Sequence, residues 1–154
     1  VAVARGSARD WDGVRLEVRG PRPSGARPLR TRNDASVVLV VHFGAVCAVL
    51  AGDIEAAAEG SLDLPACAIL KIPHHGSRTS SSEALLRAVR PRLGVVSAGA
   101  RNRFGHPHPE VTVRLEAHGV GLLRTDRDGT VRLSTDGRRI WVRRGRGGVE
   151  ERAL

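Results

Sequence analysis

Three stretches of the chain are nearly continuous runs of apolar residues: "SVVLVVHFGAVCAVLAG" over 36–52, "ACAILKI" over 66–72 and "LGVVSAG" over 93–99. A strand with one wet face alternates apolar and polar residues, whereas a strand covered on both faces reads as an unbroken run. The first run divides at Phe43-Gly44-Ala45, where a tight turn separates two strands. Between the runs lie the short helical segments "IEAAAEGSL" and "EALLRAV", the second stopped by Pro91, and a further helix runs from Pro109 to Gly119. Buried strands alternating with helices predict an α/β layer whose sheet is covered on both faces.

The remaining segments fit around that layer. "VRLEVRG" (Val14–Gly20) alternates as a half-exposed strand, and "PRPSGARPLRTRND" (Pro21–Asp34) is a basic loop without periodicity. Three short strands, "VGLLRT", "TVRLST" and "RRIWVRR", are punctuated by turns at Asp128-Gly129 and Asp136-Gly137. With 154 residues, 41% of them hydrophobic, the chain is expected to form one domain over residues 1–144, with 145–154 as a flexible tail. No apolar run approaches the roughly 20 residues of a membrane helix, and the amino terminus has no signal-peptide core. The first residue is valine, so the chain reads as an internal piece of a longer one.

The polar residues that interrupt the pattern share one location. Asp53, His74 and His75 fall at the carboxyl ends of buried strands, and His106 lies in the loop after another. In open α/β sheets that edge is where sites form. Carboxylate and imidazole together ligate zinc or manganese, and such a cation activates water for hydrolysis. Asp53 precedes "IEAAAE" and is alternatively a helix cap. Adjacent side chains on extended backbone point to opposite sides, so one of His74 and His75 is expected to ligate while the other orients the site or moves a proton. His108 in "GHPHP" reads either as part of the site or as part of a rigid turn, and His42 and His118 read as structural. Ser80 with Glu83 fits a capping box opening "EALLRAV", which places Ser77–Ser82 between the histidines and a helix amino terminus that favours phosphate.

Charge and cysteines constrain partners less. Lys and Arg total 25 against 16 Asp and Glu, a formal net charge of +9. That surface favours polyanions, although arginine-rich coding alone yields the same excess. Aromatics at 3% supply no broad platform for stacking bases. Cys47 and Cys67 sit in apolar runs and are expected as buried thiols, able to pair only if their strands lie side by side.

The ordered set "GD", "PHHGSRTSS", "NRFGHPH" and "RTDRDG", spread over Trp11–Leu133, resembles the carboxyl-terminal part of the metallo-β-lactamase-fold domain of the competence DNA-uptake channel proteins, the ComEC family. The resemblance implies the second half of an αββα sandwich with edge strands at the carboxyl end. It implies Asp53, His74 and His106 as ligands of zinc or manganese, and His75 and His74 as catalytic groups. It places Asn33, Ser36 and Asn102 near the site, with Asn33, Asn102, Ser77, Thr79 and Ser80 on the substrate side. The substrate implied is DNA, in single-stranded form, and the chain would be a soluble domain of a bacterial inner-membrane protein on its extracytoplasmic side. The HxHxDH cluster of the fold's first half occurs nowhere in the sequence. Two rival readings follow: a DNA-guiding domain with a decayed metal site, and a stand-alone small-molecule lactonase or phosphodiesterase on the same fold.

Overall fold

The computed structural model describes residues 4–21 and 31–153, so most of the basic loop 21–34 lies outside the described residues. Seven strands form one sheet in their sequence order: β1 (Ala8–Trp11), β2 (Val14–Gly20), β3 (Val38–Phe43), β4 (Val46–Leu50), β5 (Ile69–Lys71), β6 (Leu93–Val96) and β7 (Gly121–Arg124). The first four pair antiparallel, and β4 to β7 pair parallel. Local chemistry sets the change. Asp12-Gly13, both at positive φ, closes the β1–β2 hairpin, and Gly44 at φ 56° turns β3 into β4. Parallel neighbours need a crossover. Here the crossovers carry helices α1 (Ala56–Glu59), α2 (Glu83–Val89) and α3 (Pro109–Ala117).

Both faces of the parallel half are covered, as the unbroken apolar runs require. On one face Val40, Val49, Leu70 and Val96 share a core with Leu85, Leu86 and Val89 of α2 and Val111 and Leu115 of α3. On the other, Val46, Ile69, Leu93 and Leu123 pack against Ile140 and Val142. Those two belong to a second sheet of three antiparallel strands, β8 (Val131–Thr135), β9 (Arg139–Arg144) and β10 (Val149–Ala153), with β9 in the middle. A one-turn helix, α4 (Thr125–Asp128), leads from the first sheet into the second. The architecture is therefore three layers: helices, large sheet, small sheet. Each fully buried Val, Leu or Ile contributes roughly 1.5–3 kcal/mol to holding them together.

Several details depart from the sequence expectations. The segment 120–125 does not hairpin with β8; its strand β7 closes the parallel edge of the large sheet, because α3 returns it beside β6. The last ten residues carry β10, which pairs along its whole length with β9, and Glu150 bonds Arg144 at 2.7 Å. Cys47 and Cys67 are not thiols: parallel pairing of β4 with β5 brings their Cα atoms within 4.7 Å, and they form a disulfide. The cap of α2 is Ser82, whose hydroxyl accepts from the Leu85 amide at 3.3 Å. Ser80 instead is buried and donates to the carbonyls of Pro73 and Ser77.

Candidate functional site

The carboxyl ends of β4, β5 and β6 lie side by side, and the loops that leave them carry every predicted metal or catalytic residue. After β4 the chain turns at Gly52, φ 60°, where a Cβ would stand 2.7 Å from the Ser36 Cβ. That close approach lets the Ser36 hydroxyl accept from the Asp53 amide at 3.1 Å. One step on, the buried Asp34 carboxylate accepts from the Glu55 amide at 3.1 Å, and Asn33 donates to the Glu55 carboxylate at 3.0 Å. The helix cap position falls on Glu55, so Asp53 does not cap α1 and its carboxylate is left for the site.

After β5 the backbone folds into a tight turn, Pro73–Gly76, in which His74 (φ 46°, ψ 42°) and His75 (φ 55°, ψ 18°) are both left-handed. The extended backbone expected for the pair is therefore not found. Two consecutive non-glycine residues in this region store roughly 1–3 kcal/mol each, a strain that concentrates at functional sites. The His74 amide donates to the Gly52 carbonyl at 3.1 Å, tying the turn to the Asp53 loop. Gly76 lies so close to the third loop that a Cβ would meet the Pro107 Cβ at 2.6 Å, and its carbonyl accepts from the His108 amide at 2.8 Å. His106 is thereby carried to within 6.0 Å of the His74 ring, centre to centre. Asn102 fixes that loop: its amide donates to the Gly99 and His106 carbonyls and its oxygen accepts from the His106 amide. These bonds all close on its own loop, so it positions His106. His108 caps α3, its Nδ1 accepting from the Glu110 amide, and His118 pairs with Glu83 at 2.8 Å.

The electron pairs of the site can be assigned from their neighbours. His75 Nδ1 is 2.8 Å from the Ser97 carbonyl, which only accepts, so Nδ1 carries the proton. In the neutral ring Nε2 then offers a lone pair, and it faces Asp53 Oδ1 at 3.6 Å, too long for a hydrogen bond. Two donors on one cation at bonds of about 2 Å stand roughly 3–3.5 Å apart, close to the observed separation. His74 Nδ1 stands 3.4 Å from Glu55 Oε1, and the buried Nδ1 atoms of His74 and His106 have no hydrogen-bond partner. Burial, with the charges of His74, His75 and His108, pushes the His106 imidazole below its ordinary range. Burial also lowers the Lys71 ammonium, against the opposing pull of Asp53, and Lys71 donates to the Ile72 carbonyl at 2.9 Å. The donor chemistry suits a borderline divalent cation, but among the described residues no three His, Cys, Asp or Glu converge as a metal cluster.

The hydroxyl segment differs from expectation. Ser77 is buried against Thr79, 3.1 Å between hydroxyls, and Thr79 is exposed. The anion seat expected at the start of α2 is already filled by the protein: the buried Glu59 carboxylate accepts the Ser81 amide at 2.6 Å and the Ser82 amide at 2.7 Å. Glu55, Asp34 and Ser97 were not legible as site residues, because Glu55 reads as helix sequence and Ser97 acts through its backbone.

Layers, strand order and donors at the strand ends together define a chain of metallo-β-lactamase-like fold. A solved structure described as a metal-dependent hydrolase from Parabacteroides distasonis shares it, with a TM-score of 0.52 and 16% identity over 79% of this chain and 56% of that one. The chain is a homologue of the ComEC family of competence proteins. It is 32% identical over 134 residues to ComE operon protein 3 of Bacillus subtilis, covering 84% of the chain and 17% of the relative. It is 37% identical over 150 residues to competence protein ComA of Neisseria gonorrhoeae, covering 94% and 20%. It is also 33% identical over 131 residues to recombination protein 2 of Haemophilus influenzae, covering 80% and 16%. The chain thus spans a fifth or less of the length of these relatives. No protein-family model matches it.

Proposed function

We propose that this chain is the carboxyl-terminal part of a metal-dependent hydrolase domain that cleaves nucleic-acid phosphodiesters within a DNA-uptake protein. The observation that carries the reading is the face-to-face arrangement of His75 Nε2 and Asp53 Oδ1 at 3.6 Å, with the His75 proton held by Ser97 on the far side. A carboxylate and an imidazole nitrogen facing each other are held by a cation between them, either a proton on Nε2 or a metal ion. A separation of 3.6 Å is longer than a hydrogen bond and near that of two ligands on one metal. Asp53, His75, His74 and His106 are the donors this chain offers to zinc or manganese, and further ligands come from elsewhere in the parent protein. The cation would supply charge to polarise a phosphodiester and to acidify water. The protein's own residues do the rest. Ser97 and Asn102 hold His75 and His106 in place, Asn33 and Asp34 hold Glu55 beside His74, and the exposed Thr79 is the hydroxyl of the segment left for substrate. The Cys47–Cys67 disulfide supports an extracytoplasmic location, since such bonds persist in oxidising compartments. No helix among the described residues is long and apolar enough to cross a membrane, so membrane embedding is assigned to the parent.

One observation favours the rival of a non-catalytic strand-guiding domain: no three donors converge among the described residues. Manganese- or zinc-dependent cleavage of single-stranded DNA by the chain extended upstream separates the two. The hydrolase reading expects cleavage to fall about a hundredfold in His74→Ala, a loss of the size that follows removal of a group that holds or orients a metal site. If the extended chain binds single-stranded DNA but cleaves it with neither metal, the guiding domain is the better account; cleavage unchanged in both His74→Ala and His75→Ala would remove the two histidines from the chemistry.

A further inference from the structure

The loop that delivers His106 has a second feature with no structural task. Phe104 is 74% exposed, and its ring stacks on the His106 imidazole, with centres 5.8 Å apart and planes 20° from parallel. A phenyl group left in water forgoes the stabilisation that burial would give it. The loop that carries it is nonetheless held firmly by the three Asn102 hydrogen bonds on either side of it. Arg101 and Arg103 belong to the same loop as the ring, are both exposed, and form no ion pair among the described residues. A rigid exposed ring in one loop with two unneutralised arginines, stacked on a histidine of the candidate site, matches a ligand that joins a flat apolar face to negative charge.

We infer that Phe104, Arg101 and Arg103 form the seat of an unpaired nucleotide: the base stacks on Phe104 and the adjoining phosphates meet the two arginines. This rests on the proposed function and adds to it the residues that would hold the strand, since a base inside a duplex has no free face to offer Phe104. Aromatic stacking of this kind is strong and indifferent to sequence. The composition argued against a broad stacking platform; a single ring placed beside the site needs none.

Binding of fluorescently labelled oligothymidylate to the chain in metal-free buffer tests the assignment without any cleavage, so its failure leaves the hydrolase reading standing and the reverse also holds. Phe104→Ala is expected to weaken binding about tenfold at unchanged salt dependence, whereas Phe104→Trp restores it and its emission is quenched by the strand. Binding of an abasic strand of equal length should be the same for Phe104→Ala and the parent. Replacing Arg101 and Arg103 by serine should flatten the log–log salt slope by about 1.4, from about 0.7 per phosphate on a single strand. The inference is overturned if Phe104→Ala binds oligothymidylate as the parent does, if it weakens abasic or duplex DNA equally, or if the chain does not bind single strands at all. Because Phe104 is exposed, its variants should unfold at the parent's midpoint, which keeps a folding defect from imitating the effect.

Discussion

A left-handed histidine pair is stable only if its surroundings leave no alternative, and the surrounding contacts are backbone contacts. The His74 amide is held by Gly52, and the turn is closed against Pro107 through Gly76, whose own φ is 79°. Gly76→Ala therefore meets two obstacles, the disfavoured φ and a Cβ 2.6 Å from the Pro107 Cβ. Gly119, at φ 69° with nothing within 4 Å of a built Cβ, meets only the first. Denaturant unfolding should show Gly119→Ala costing about 1 kcal/mol and Gly76→Ala about 3 kcal/mol. Equal losses would mean that the Pro107 contact yields freely. At this scale the sequence was informative where chemistry broke a pattern: Asp53, His74 and His75 stood out because they end apolar runs, and His106 because it lies in the loop after one. Glu55 did not, since a glutamate opening an alanine-rich helix is ordinary, and the left-handed turn did not, since neither histidine signals positive φ as glycine does.

Elements were legible in proportion to how much of their stability is local. The strand over 14–20 and the helix over 83–89 were read to the residue, the strand from its alternation and the helix from the stretch "EALLRAV" ahead of Pro91. The strand "VEERA" has no apolar alternation, although Gly145, Gly147 and Gly148 mark a turn before it, and it pairs along the edge of β9. The amino terminus of α2 shows a local signal read at the wrong residue: the capping serine is Ser82, and the acidic partner is Glu59, 23 residues earlier. Ser82→Ala removes one capping acceptor and should cost about 1 kcal/mol. Glu59→Ala leaves the Ser81 and Ser82 amides without their acceptor in a buried position and should cost about 3 kcal/mol. Urea titrations of the two variants check the ranking, and a larger loss for Ser82→Ala would show that the serine, not the carboxylate, anchors the helix.

Across the whole molecule, the disulfide is the covalent tie between the antiparallel and parallel halves of the sheet, joining β4 to the segment entering β5. It was hidden in the sequence because the pairing depends on a parallel register that no local pattern states. With a sequence separation of 20, its loss should lower stability by about 3 kcal/mol. The double substitution Cys47→Ala/Cys67→Ala and treatment of the parent with reductant should give the same fall, and reductant should leave the double variant unchanged. The strand order has a bearing on time. Because every strand of the large sheet lies beside its predecessor, none has to be inserted between two already paired, and the sheet can grow at one margin as the polypeptide emerges. The residues around the strand ends then arrive in order: Asp53 and Glu55 with the fourth strand, His74 and His75 with the fifth, His106 after the sixth. A nascent chain stalled on the ribosome before β6 would carry the carboxylates and the histidine pair, but neither the Ser97 carbonyl that orients His75 nor the loop that supplies His106, so the centre is completed late in synthesis.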